Sequence, residues 1–181
     1  KRHRCLAIWF YKNYPKLFFL KNYWLITPNS NTNLISEGGI PIGFLDDSQY
    51  LGKIINYISD IFIHLDIPKA HQKGVSFHYG AIRLLIESKN LGLISIWHPS
   101  MLLLFLETYD KYSNSIIDDI ANGTVSNPLS NTKITLNKPN QKRAFGLKKL
   151  LGAPLFWEKI LPNLQVISCW GEASAEMNAK K

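Results

Sequence analysis

Leu91-Gly92-Leu93-Ile94-Ser95-Ile96-Trp97-His98-Pro99-Ser100-Met101-Leu102-Leu103-Leu104-Phe105-Leu106 is the longest apolar stretch of the chain. It is too short, and too interrupted by His98, Pro99 and two serines, for the ~20-residue apolar helix that spans a bilayer. Pro at the first turn suits a helix start. The stretch therefore reads as a buried strand over 93–97 followed by a helix from Pro99 to about Tyr112. A strand apolar at successive positions is buried on both faces, which is the habit of parallel sheets.

Working outward, helices and strands alternate. Apolar residues at helical spacing mark Cys5–Asn13, a helix from Asp46 or Asp47 to about Ile63, and Phe77–Lys89, closed by Asn90 and Gly92. Tyr23–Thr27 and Leu164–Cys169 read as strands. Ile116–Ala121 reads as a short helix stopped by Asn122-Gly123. Thr124–Asn140 reads as a polar connection, and 141–151 and 155–161 as helices. The order predicts an α/β fold with a parallel sheet and packed helices. Ligands of such sheets sit beyond the carboxyl ends of the strands, which directs attention to Trp97-His98-Pro99-Ser100 and Cys169-Trp170-Gly171-Glu172-Ala173-Ser174.

The 181 residues are 46% hydrophobic and 19% charged, which excludes a disordered chain. Two cysteines, Cys5 and Cys169, argue against a disulfide scaffold and for a reducing, cytoplasmic setting. No metal-ligand spacing is present, and no metal site is expected. The net charge of +8 is uneven: residues 1–36 hold six basic residues and no acid. With Trp9, Phe18 and Phe19 among them, this segment reads either as an amphipathic helix with its aromatics in the core or as a surface that stacks bases and neutralises phosphates. Asp118-Asp119 reads as solvated surface and Asp46-Asp47 as a helix cap. His64, His71 and His78 lie across the Pro68 break and do not form a shared site. No nucleophile elbow, zinc-protease or P-loop motif occurs.

Several stretches resemble, in collinear order, the auxin-responsive promoter (Gretchen Hagen 3) family of acyl acid amido synthetases in its bacterial-type form. They are 23–28 (YWLITP), 37–43 (EGGIPIG), 46–52 (DDSQYLG), 94–102 (ISIWHPSML), 117–123 (IDDIANG) and 161–170 (LPNLQVISCW). The resemblance implies the N-terminal domain of an adenylate-forming fold, related to acyl-CoA synthetases and luciferase. It implies ATP and Mg²⁺ as cofactors, activation of a carboxylic acid as an acyl-adenylate, and its conjugation to an amino acid. The partners are then small-molecule acids and amino acids, with neither membrane nor nucleic acid expected.

Residue by residue, the resemblance implies acid contacts at Ile42 and Gly43, which read otherwise as a turn that redirects the chain. Ser100, Met101, Leu104 and Phe105 would make an apolar pocket wall, or simply core. His98 would bind a carboxylate or cap the helix. The turn from Trp170 would touch the acid through Trp170 and the nucleotide through Gly171, Glu172, Ala173 and Ser174, or serve as a plain strand-to-helix turn. The arginine that plant members carry on the substrate helix has no counterpart between Met101 and Leu106. No Ser-Ser-Gly-Thr phosphate loop or later nucleotide motif stands in these residues, and no catalytic residue is assigned. Residues 1–181 are thus expected to be a fragment, a partial adenylation-type domain inactive by itself. The alternatives are a small basic module binding nucleic acid or another anionic partner, and a non-catalytic relic that folds poorly.

Overall fold

The computed structural model describes residues 8–9, 12–24, 62–63, 76–128, 132–154, 156–172 and 175–179. Four strands, β1 (Lys21–Trp24), β2 (Phe62–Ile63), β3 (Leu91–Ser95) and β6 (Val166–Ser168), form a sheet in the order β2-β1-β3-β6. All neighbours run parallel, with Tyr23 opposite Ile63 on one side and Ile94 on the other, and Ile94 opposite Ile167. Parallel neighbours need long crossovers. Among the described residues these are supplied by helices α1 (Phe77–Glu87), α2 (Pro99–Asn122), α3 (Gln141–Leu150) and α4 (Phe156–Ile160). A short α5 (Glu176–Ala179) follows β6, and β4 (Thr124–Asn127) pairs antiparallel with β5 (Thr132–Thr135) in a separate ribbon.

Leu91 to Ile94 are all buried, as a strand covered on two sides must be. On one face Tyr23, Ile94 and Ile96 join the main core with α1 and α2. Phe105, fully buried, sits there with its ring 6.4 Å from Tyr23 and 6.1 Å from Phe77. On the other face Leu93 packs against Leu17, with Tyr14 and Val166 beside them. A Cβ at Gly92 would lie 2.7 Å from Leu20 Cβ and 3.0 Å from Leu17 Cδ2, so the amino-terminal segment rests directly on bare backbone. Tyr109 carries α4 against α2, its ring 5.3 Å from Phe156 and 5.2 Å from Trp157.

Helix α2 is interrupted at Tyr112 (φ −125°, ψ 21°), between the two helices expected from sequence. It ends at Gly123 (φ 70°), whose amide reaches back to the carbonyl of Ile120. That left-handed cap favours glycine, and a Cβ there would meet the Asn137 carbonyl oxygen at 2.3 Å. Asp119, just inside this end, is 1% exposed. It accepts hydrogen bonds from Tyr79 Oη (2.8 Å), Thr124 Oγ1 (2.6 Å), Ser126 N (2.7 Å) and Ser126 Oγ (2.8 Å). Arg83, also fully buried, pairs with Glu87 and donates to the Thr124 carbonyl (2.9 Å). The two residues tie the β4–β5 ribbon to α1 and α2.

Several expectations are corrected. Asp119 is a buried anchor, whereas Asp118 alone faces solvent. The connection 124–140 contains a β-ribbon. Phe62–Ile63 is strand, not the end of a helix, and Gly92 lies inside β3 instead of stopping α1. Trp9, Phe18 and Phe19 are exposed by 52%, 51% and 89%, so these aromatics do not form the buried face of an amphipathic helix. No helix among the described residues is long and apolar enough to cross a membrane.

Candidate functional site

The sheet register sets three strand ends level with one another. Trp24 lies opposite Ser95, and Ser95 opposite Ser168. Beyond these, the tips of β3 and β6 stay side by side, with Ile96 N donating to the Ser168 carbonyl (2.9 Å) and Trp170 N to the Trp97 carbonyl (3.2 Å). The indoles of Trp97 and Trp170 are 54% and 70% exposed. The sequence directs attention to the strand end that begins with Trp97, although it assigns Trp97 no contact of its own.

α2 begins at this edge. His98 takes the capping role, its Nδ1 accepting from Ser100 N (3.2 Å) and lying 2.7 Å from Ser100 Oγ. Pro99 has no N–H, and Met101 N already donates to the His98 carbonyl (3.0 Å). The first turn of α2 therefore has its donors occupied and is not an anion cradle. Met101 is half-buried against the core, Phe105 is wholly core, and Leu104 is 40% exposed. Gly171 and Glu172 are exposed, and a Cβ at Gly171 would touch nothing within 4 Å. The fold itself makes no demand for glycine there. Ser100 and Trp170 thus stand on adjoining strand ends, while Ile42, Gly43, Ala173 and Ser174 lie outside the described residues.

In chemical terms this edge offers aromatic planes, an apolar helix turn and few charges. That suits a flat ring or an apolar acid. The first turn of α2, its donors already occupied, offers no cradle to a phosphate. Among the described residues no group of three His, Cys, Asp or Glu side chains comes together to hold a metal ion. A separate open cleft of about 810 Å³, lined by Lys21, Lys89, Lys142 and Arg143 among others, lies at the opposite, amino-terminal end of the sheet.

The model of the GH3 family N-terminal domain matches residues 1–181. The chain belongs to the GH3 family. Its fold is similar to that of a solved structure, a GH3.15 acyl acid amido synthetase, with a TM-score of 0.61 and 14% sequence identity. The match covers 94% of this GH3 chain and 30% of the length of that synthetase. No curated protein matches.

Proposed function

We propose that this GH3 chain is part of an ATP-dependent acyl acid amido synthetase, a carbon–nitrogen ligase that activates a carboxylic acid as its acyl-adenylate and conjugates it to an amino acid. The family match over residues 1–181 supports this reading, together with the exposed indoles of Trp97 and Trp170 just beyond the level ends of β3 and β6. In it, Trp170 and Leu104 line the acid, Ser100 and Met101 set the wall behind it, and Gly171 lets the chain pass close to the nucleotide. Ile42 and Gly43 are assigned to the acid, and Glu172, Ala173 and Ser174, with Gly171, to the nucleotide. Their common task is to orient the acid and keep water from a hydrolysable intermediate. ATP and Mg²⁺ belong to the reaction, but no step at phosphate is assigned to these residues, and the chain is a partial adenylation-type domain in a cytoplasmic setting. The 181 residues alone are expected to give no ATP–pyrophosphate exchange.

The test is calorimetric titration of the protein with benzoate and, separately, with AMP. Binding of either is expected, weakened at least about tenfold in Trp170→Ala, since one aromatic face contributes roughly 1–3 kcal/mol to a stacked ring. Trp170 is exposed, so the variant keeps its fold. Absence of binding by the parent protein, or equal binding by the variant, overturns the proposal.

A second reading, an anion-binding module acting through the first 24 residues, is favoured by the exposure of Trp9, Phe18 and Phe19 beside Lys12 and Lys16. Binding to single-stranded oligonucleotide that falls steeply with salt would support it.

A further inference from the structure

The cleft at the amino-terminal end of the sheet is lined by four cations, Lys21, Lys89, Lys142 and Arg143, and one carboxylate, Glu87. From Ile120 to Trp157 the sequence holds six basic residues and no aspartate or glutamate. Two of them, Lys142 and Arg143, meet Lys21 of β1 and Lys89 in the lining of this cleft. Lys21, Lys89 and Lys142 are exposed, and none lies within ion-pair distance of a carboxylate among the described residues. Glu87 is the carboxylate of the lining, and it is already committed to Arg83 and to Asn137 Nδ2 (2.6 Å).

Arg143 is held in place by carbonyls. Its Nε and Nη2 donate to the Ile86 carbonyl (3.0 and 2.7 Å), and Nη2 donates also to the Ile160 carbonyl (2.6 Å). Nη1 bonds nothing among the described residues. Carbonyl dipoles orient a guanidinium but do not cancel its charge. Asn140 accepts from Arg143 N (3.1 Å) and so fixes the start of α3, which carries both cations to the cleft.

We propose that this cleft binds an oligophosphate anion. The one unengaged nitrogen of this fixed guanidinium, Nη1, is left to donate to a phosphate oxygen. Three ammonium groups on flexible stems follow charge spread along a chain of phosphates. The amides of Asn90 and Asn140 add neutral donors at the same walls. About 810 Å³ lies within the ordinary range of small-molecule sites. The site is separate from Trp97 and Trp170, which lie at the other end of the strands.

The test is calorimetric titration of the 181-residue protein with inorganic triphosphate at low salt. One-to-one binding is expected, weakening as salt is raised. The double variant Lys89→Glu/Lys142→Glu is expected to lose at least about tenfold in affinity, as charge reversal opposes an anionic ligand. Lys111→Glu, on α2, is the control and keeps full affinity. Both lysines of the double variant are exposed, so circular dichroism verifies an unchanged fold. ATP displacing triphosphate assigns the source to a nucleotide's phosphate tail, and failure to displace assigns it to the inorganic chain. Trp170→Ala leaves triphosphate binding untouched, which separates this site from the proposed acid wall. No binding of triphosphate, or equal loss in Lys111→Glu and the double variant, overturns the proposal.

Discussion

Asp119 shows how a single side chain can hold two pieces of architecture together. Burial alone would push its carboxyl up. Hydrogen bonds from Thr124, Ser126 and Tyr79 outweigh that effect and hold it below the usual carboxylate value of 3.8. A depressed value contributes stability above pH 3.8, and that contribution is lost as pH falls below 3.8 toward the folded-state value. Asp119→Ala is expected to cost about 3 kcal/mol at pH 7, read from the urea midpoint, because several buried donors lose their acceptor at once. Asp119→Asn should cost less and should flatten the acid-induced fall in stability. An unchanged acid slope in that variant would assign the fall to other carboxylates. In the sequence this residue passes for half of a solvated pair. Its position three after Ile116 and one before Ile120 places it on the buried side, so the helical period held the information that the charge concealed.

Among the elements, β3 was legible because apolar residues at successive positions have only one comfortable environment. Its limits are shifted by two residues, since Trp97 prolongs the apolar pattern past the last paired residue. The same stretch explains the demand for Gly92. Gly92→Val is expected to destabilise by about 1–3 kcal/mol, as overpacking against Leu20 and Leu17 must push the amino-terminal segment away. Thermal unfolding reads this directly, and a melting point equal to that of the parent would show that the segment yields without cost. The β4–β5 ribbon is hard to read from sequence because asparagine, proline and serine crowd the turn that joins its strands, 126–131 (SNPLSN). Yet Thr132, Lys133, Ile134 and Thr135 alternate half-buried and exposed, a period of two that composition alone does not reveal.

For the molecule as a whole, the parallel arrangement and the meeting of two strand tips could be read from element order, but the placing of β1 between β2 and β3 could not. That order is fixed by contacts between residues far apart in the chain, for which a single sequence carries no local signal. The two proposed sites divide in the same way: the strand-end rule directs attention to one edge, while the basic cleft at the opposite end needs coordinates to unite Lys21, Lys89 and Lys142. β6 lies at the margin of the described sheet, and its Ile167 is 47% exposed. Margins of this kind invite pairing with another chain. Ile167→Lys is therefore expected to reduce self-association in light scattering at high protein concentration; undiminished scattering would point to another surface. The interruption at Tyr112 has its own consequence. It makes a rod with a joint, whose rear half grips the ribbon through Asp119 while its forward half sets out from the strand tips in a direction of its own.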